Sequence, residues 1–372
     1  MIYDKKNNLI IEQMSEEISI PGRAYKKAIK HYEDLRNWLN RNESSLKKYK
    51  PQIFVQGSFQ LGTAIKPLKR KNQYDLDLVC KLKDKISKTT HSQADLKEMI
   101  RKELNLYKIN RGIEKNLQEK PRCWRLEYQD DLNFRMDILP CIPESDKIKK
   151  DILLSIINSG VKEDLARSSS NSTVSITCEL NCNYRLISDD WNISNPEGYV
   201  KWFKKRMNSI EKQVDSIPLF INKTPLQRVI QLLKRHRDNM FANKRKLKPI
   251  SIILTTLATK AYSGEQDIYS ALKNILKEMW NFANQGTSIL PNPVNPRENF
   301  ADKWSMPEYK KFNLKKNFCL WLEQLQNDLS IIENSTLSDF ISEQASKKFG
   351  INLDEKILEK ESSLSNSPSL NL

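Results

Sequence analysis

Three aspartates and one glycine–serine pair carry the chemistry open to this sequence. Asp75 and Asp77 lie in "YDLDLVCKL", Asp137 in "FRMDILP", and Gly57-Ser58 in "FVQGSFQLGT". Asp-x-Asp on a strand aims both carboxylates to one side. In a packed sheet they repel each other and lose water unless something positive sits between them. A structural account needs an arginine partner for each carboxylate; a chemical account needs only divalent metal. Hard cations such as Mg²⁺, or Mn²⁺ in its place, take oxygen ligands, and a pair of them is a device for phosphoryl transfer. One ion activates an attacking hydroxyl, and the other holds a triphosphate and neutralises the leaving pyrophosphate. At Gly57 the backbone can approach phosphate closely, and exposed N–H groups with the Ser58 hydroxyl can cradle its oxygens.

These residues need elements to position them. "PQIFVQGS" reads as a short strand ending in a glycine turn, and "QYDLDLVCKL" as the next strand, reached through the basic loop "KPLKRKNQ". "CWRLEYQDDLNFRMDILPCIP" predicts a hairpin around Gln-Asp-Asp. On its second strand Phe134, Met136 and Ile138 share one face, and Arg135, Asp137 and Leu139 the other. Ala28, Tyr32, Leu35 and Leu39 recur at helical spacing and predict one amphipathic helix over 22–48. Residues 93–118 predict another. This order gives an α+β fold with an antiparallel or mixed sheet.

Further on, the Ser- and Asn-rich "ARSSSNSTVSITCELNCN" and the loop "SDDWNISNPEG" mark a change of character. In "TPLQRVIQLLKRHRDNMF", Thr224 is the expected N-cap, Pro225 the first helical residue, and Leu226, Val229, Ile230 and Leu233 the apolar stripe. "KPISIILTTLATKAY" predicts a more buried helix, "PNPVNPRENFADKW" a loop, and 313–347 helix again. The expected division is a catalytic core at 1–190, a helical lobe at 191–347 and a polar, flexible tail at 348–372.

A net charge of +16 over 372 residues favours polyanionic partners such as nucleotides or nucleic acid, although a solvated surface accounts for many lysines equally well. The N-terminal stretch is too charged for a signal peptide, and the apolar runs are too short to span a bilayer, so no membrane partner is expected. Of the cysteines at 80, 123, 141, 178, 182 and 319, only Cys178 and Cys182 are close, which reads as reduced thiols in a cytoplasmic protein.

Taken together, "GSFQLGT", "YDLDLVC" and "FRMDILP" resemble the active-site signature of the DNA polymerase β-like nucleotidyltransferase superfamily. More narrowly, the chain is similar to the CD-NTases, the bacterial cyclic oligonucleotide synthases of CBASS anti-phage defence related to cGAS and oligoadenylate synthase. "QLLKRHRD", "KPISIILTTLA", "NPEGYVKWFKKR" and "NPVNPRENFADKW" extend the likeness over most of residues 20–345. The resemblance implies a bilobal fold, with a mixed-sheet catalytic core and a helical lobe enclosing the nucleotides between them. It implies that Asp75 and Asp77 bind both metals, that Asp137 binds the one nearer the attacking hydroxyl and aids its deprotonation, and that Gln56 and Ser58 contact the donor triphosphate.

Lys234 and Ser251 are the candidates for triphosphate contacts from the helical lobe. Lys234 follows the apolar stripe of its helix, and Ser251 falls in the first turn of the next, where free N–H groups favour anions. The plain alternative for Lys234, Arg235 and Arg237 is a solvated basic face, and for Ser251 simple capping. His236 reads as a satisfied surface or core residue. Asn295 and Asn299 could read a base edge but suit turns better. Trp191, Tyr199 and Trp202 could stack on a base but suit a core better.

The implied function is template-independent condensation of NTPs, ATP or GTP foremost, into a cyclic di- or trinucleotide. That product would act through a separate effector, with room for a regulatory protein or nucleic-acid activator. The alternatives are a linear oligonucleotide synthase, a transferase modifying RNA or protein, and a non-catalytic basic RNA-binding scaffold. Three retained aspartates speak against the last.

Overall fold

The computed structural model describes residues 2–69, 73–207 and 223–354. The chain opens with α1 (Ile2–Glu17) and α2 (Gly22–Asn40), then β1 (Pro51–Gln56), the short α3 (Gly57–Leu61), β2 (Tyr74–Leu82) and α4 (Gln93–Asn110). β3 (Gln118–Glu119), β4 (Trp124–Glu127) and β5 (Phe134–Pro143) follow, then α5 (Asp146–Asn158), α6 (Glu163–Ser170), β6 (Val174–Ile176) and β7 (Asn192–Ser194). The remainder is α7 (Pro196–Arg206), α8 (Pro225–Met240), α9 (Ser251–Ala261), α10 (Ile268–Asn284), the hairpin β8 (Pro291–Asn292) and β9 (Asn295–Asn299), α11 (Leu314–Glu333) and α12 (Ser338–Phe349).

Seven strands form one mixed sheet in the order β1-β2-β5-β4-β3, with β6 and β7 attached at the far end of β5. β1 pairs antiparallel with β2, β2 runs parallel to β5, and β4–β5 is the expected antiparallel hairpin. The alternation on β5 sorts its side chains as the sequence indicates. Phe134, Met136 and Ile138 enter a core under α2 and α4, and Leu139 joins Phe54, Val79 and Val174 on the opposite face. The α+β class and the mixed sheet are therefore as expected.

Several boundaries differ. α2 ends at Asn40 rather than 48, because Arg41 turns extended (φ −61°, ψ 160°) and Ser44 accepts from the Leu46 N–H at 3.2 Å, drawing the chain into a turn. α4 ends at Asn110, before Gly112, which takes a positive φ. The charged N-terminal segment forms α1, which places Ile10, Ile11, Met14 and Ile18 in the helical core beside α8 and α10. The Ser- and Asn-rich stretch contributes to α6 and β6, and Ser169, Ser175 and Thr177 are fully buried.

The helical core also takes in Ile152 and Ile156 of α5 and Ala166 of α6, so the chain visits it before and after building the sheet. The proline-rich segment from 291 forms a small hairpin where a loop is expected, and 313–347 divides into α11 and α12. Parts of the basic loop (70–72) and of the tail (355–372) lie outside the described residues. Among the described residues no helix is long and apolar enough to cross a membrane.

Candidate active site

The site is built where β1 turns into α3. Gln56 is still extended, and Gly57 takes φ +65°, a left-handed conformation that only glycine adopts cheaply. The turn passes hard against β2. A Cβ at Gly57 would overlap Asp77 Oδ2 and stand 3.1 Å from the carboxyl carbon. Gly57 is thus required twice, by its own conformation and by the carboxylate beside it. Ser58, the next residue, is half-buried at the start of α3.

Register then does the sorting. On the parallel β2–β5 pair, Asp77 stands opposite Asp137 and Asp75 opposite Arg135. On the antiparallel β4–β5 pair, Arg125 stands opposite Asp137. Arg125 grips Asp137 with two bonds of 2.7 Å, from Nε to Oδ1 and from Nη2 to Oδ2. Arg135 holds Asp75 likewise, with Nη2 2.7 Å from Oδ2 and a second bond from Nε to Oδ1. Two of the three aspartates therefore have the arginine partner that a structural account requires.

Asp77 does not. No group among the described residues donates a hydrogen bond to it. Burial, and then the facing Asp137, push its carboxyl up to about 6, against the pull of Lys234 and Arg125. With Asp75 turned toward Arg135, no three carboxylates converge on one point among the described residues.

The opposite wall is α8. Thr224 caps it in a capping box with Gln227, Pro225 opens it, and Leu226, Val229, Ile230 and Leu233 are fully buried, as the sequence indicates. The four polar residues that follow are buried too: Lys234 is 5%, Arg235 1%, His236 1% and Arg237 3% exposed. A solvated basic face is thereby excluded. Lys234 Nζ donates to Thr63 Oγ1 at 2.9 Å and to the Thr63 carbonyl at 3.1 Å, reaching the loop that follows α3. Burial, and then the charge of Arg237, lower its ammonium to about 7, with Asp238 and Asp77 pulling the other way. Among the described residues no carboxylate is bonded to Lys234.

The remaining candidates separate cleanly. Ser251 is the first residue of α9, with Ile250 at the cap position, so its hydroxyl does not cap the helix. Instead it accepts from Arg237 Nη1 at 2.9 Å, and Arg237 is also held by Asp238 and the Pro249 carbonyl. Arg235 donates to the Lys66 carbonyl at 2.7 Å. His236 pairs with Asp328 at 3.0 Å in the interior, a core role. The Asn299 amide oxygen accepts from Leu290 and Ala301 N–H groups, which is turn building, and Asn295 is buried against the Ile193 carbonyl. Trp191, Tyr199 and Trp202 are core residues. Gln56 flanks the turn opposite Asp77 in the β1–β2 register.

Sequence reasoning missed Thr63, Arg125 and the Arg135 partnership. Thr63 and the Arg135–Asp75 pair depend on contacts between distant segments, whereas Arg125 lies on the expected hairpin and its partner follows from the β4–β5 register.

Residues 51–140, the span holding Gly57 and all three aspartates, match the family described as cyclic GMP-AMP synthase DncV-like, nucleotidyltransferase domain. The chain is 29% identical over 332 residues to a c-di-GMP synthase of Roseivirga ehrenbergii, covering 86% of this chain and 77% of the relative. It is 22% identical over 325 residues to the cyclic dinucleotide synthase CdnG of Bradyrhizobium diazoefficiens, covering 79% and 69%.

Among solved structures, the fold is similar to that CdnG in complex with GTP (TM-score 0.67, 18% identity, 97% of this chain and 99% of the other). It is also similar to Vibrio cholerae DncV in complex with a linear intermediate (TM-score 0.57, 17% identity, 96% and 89%). A third similar structure is the CdnC:HORMA complex of E. coli MS115-1 (TM-score 0.60, 12% identity, 93% and 98%). The expected fold is therefore the one found: this chain is a nucleotidyltransferase, carrying a DncV-like nucleotidyltransferase domain at residues 51–140 on the fold of the CD-NTases.

Proposed function

We propose that the chain joins nucleoside triphosphates without a template into a cyclic dinucleotide or trinucleotide, releasing pyrophosphate at each bond. One observation carries the reading. Among the described residues, Asp77 on one wall of the site has no bonded cation, and Lys234 on the facing wall has no bonded anion. A metal–triphosphate complex brings both charges at once. The all-oxygen donor set of Asp75, Asp77 and Asp137 suits a hard divalent cation such as Mg²⁺, and the close approach of the Gly57 turn to Asp77 marks where phosphate can pass nearest. The chemistry that Mg²⁺ supplies when bound is Lewis-acid activation of the attacking hydroxyl and neutralisation of the triphosphate.

The chain's own residues do the rest. Lys234 holds the triphosphate in a water-poor position, tied to Thr63 so that its ammonium cannot swing away. Gln56, Gly57 and Ser58 line the turn beneath that triphosphate. Ser251 reaches it from α9, oriented by Arg237. A ribose hydroxyl attacks the α-phosphorus, the new P–O bond forms as the bond to the β-phosphate oxygen breaks, and Asp137 is the group assigned to receive the hydroxyl proton. Repeating the step within the linear product closes the ring. The names of the two curated relatives favour a dinucleotide, and that of the Roseivirga relative favours guanine. The product would act on a separate effector in anti-phage defence. A regulatory protein is the favoured partner, since a neighbour in fold is a complex with HORMA.

Incubation with four α-labelled NTPs and Mg²⁺ or Mn²⁺, without primer or template, tests this reading. A phosphatase-resistant product is expected, and omitting one NTP at a time names its bases. A phosphatase-sensitive ladder would replace the cyclic reading with a linear one. Label transferred only to RNA or protein would make the chain a modifying enzyme.

Lys234 adds a pH signature. Its ammonium titrates at about 7 in the free chain, so the cation that attracts triphosphate is lost as pH rises through that value. Since kcat/KM follows the free enzyme, it should fall above about 7 while kcat, read on the bound form, stays flatter. Lys234→Met should remove that falling limb and lower kcat/KM by about 10–100-fold, the scale of a lost charged hydrogen bond. A wild-type profile unchanged by the substitution would take Lys234 out of the triphosphate site.

A further inference from the structure

The pairing of Asp75 with Arg135 suggests how the site is kept from loading prematurely. Both arginines on this face follow from register rather than from the reach of long side chains: Arg135 is directly opposite Asp75, and Arg125 directly opposite Asp137. Glu127 also faces Arg135, from β4, but Lys115 at 2.8 Å, Gln73 and Gln118 already occupy its carboxylate. Arg135 is left with Asp75, and it holds both oxygens.

The two pairs differ in enclosure. Arg125 and Asp137 are 20% and 23% exposed, whereas Arg135 and Asp75 are 30% and 50% exposed. The more exposed pair is the weaker and opens at less cost.

We propose that Arg135 is a latch on the metal site, an internal cation that draws Asp75 away from Asp77 and Asp137 until a divalent ion displaces it. The proposal rests on the metal-dependent reading above. A bare cation must compete with the guanidinium for Asp75 and then face an incomplete set of ligands. A cation arriving with a triphosphate brings oxygen ligands of its own, and the triphosphate offers the released guanidinium a new anionic partner. Metal and nucleotide therefore load together, and the free chain stays largely metal-free. Arg135 is in this sense a positioning residue. It acts through Asp75.

Mn²⁺ binding to the nucleotide-free chain, followed by electron paramagnetic resonance, tests the latch without reference to activity. Arg135→Gln should bind Mn²⁺ about fivefold more tightly than wild type, the scale of one partly exposed ion pair, and Arg135→Lys should fall between them. Asp75→Asn combined with Arg135→Gln should lose the gain. Thermal melting of each variant checks that it is folded. Affinity in Arg135→Gln equal to or weaker than wild type, with wild-type binding still dependent on Asp77, would overturn the latch alone. If neither wild type nor Arg135→Gln bound Mn²⁺ above an Asp77→Asn background, the metal reading would fall and the latch with it.

Discussion

Asp77→Asn is expected to abolish nucleotidyl transfer while raising the melting temperature. The two effects have one cause. Of the three site aspartates, Asp77 is the one to which no described residue donates a hydrogen bond, and it faces Asp137 across the β2–β5 ladder. Its folded value of about 6 lies above its ordinary 3.8. The sign follows directly: a carboxyl raised on folding contributes stability that is full below about 4 and is lost as pH rises through about 6. At pH 8 the wild type carries the whole cost of that charge, and an amide of the same shape does not. The variant should melt a few degrees higher at pH 8, on the scale expected for roughly 1–2 kcal/mol in a chain of this size. The gap should narrow toward pH 5 and close near pH 4. Activity should fall by about 10³-fold or more, since a metal-organising carboxylate supplies several kcal/mol of transition-state stabilisation. Thermal scans at the two pH values, beside label incorporation, check both halves. A variant less stable than wild type at pH 8 would mean that Asp77 is satisfied in the folded chain.

Gly57→Ala should cost about 10²-fold in kcat, and more than its conformation alone explains. At φ +65° a Cβ costs roughly 1–2 kcal/mol of stability. It also collides with the Asp77 carboxylate, and misplacing a reacting group by about 1 Å can cost 10²-fold. Gly112 separates the two terms. It has nearly the same backbone angle, φ +61°, yet a Cβ there meets nothing within 4 Å. Gly112→Ala should therefore lose stability on a similar scale and keep its activity. If the two alanine variants retained equal activity, the contact between Gly57 and Asp77 would have no catalytic meaning.

The catalytic strands were legible because their signals are local. Gly57 punctuates β1, alternation marks β2 and β5, and Thr224 with Pro225 announces α8 before its apolar stripe. What was not legible depends on distant partners. Lys234, Arg235 and Arg237 look like a solvated basic run. They are buried because backbone oxygens at Thr63, Lys66 and Pro249 wait for them across the fold. α1 carries its apolar residues Ile10, Ile11 and Met14 amid charged ones and owes its place to packing against α8 and α10. The Ser-rich stretch gives the same lesson in reverse. Ser175 can be fully buried in β6 because its hydroxyl finds Glu144, a residue that is itself held by Lys88 at 2.7 Å. In the site, the three aspartates were visible, but the arginines that hold two of them were not: Arg135 meets Asp75 through a parallel β2–β5 register that joins residues sixty positions apart, and Arg125 meets Asp137 only once the register of the β4–β5 hairpin is set.

Nucleotide transfer is the activity proposed for Asp77 and Asp137, facing Lys234. Its most direct test compares wild type with Asp77→Asn, both shown folded by melting, for incorporation of α-labelled NTPs and release of pyrophosphate in Mg²⁺ or Mn²⁺ without primer or template. Wild type should give a phosphatase-resistant labelled product and stoichiometric pyrophosphate, and the variant neither. Equal product from both proteins, or none from wild type even with extract of phage-infected cells added, would contradict it.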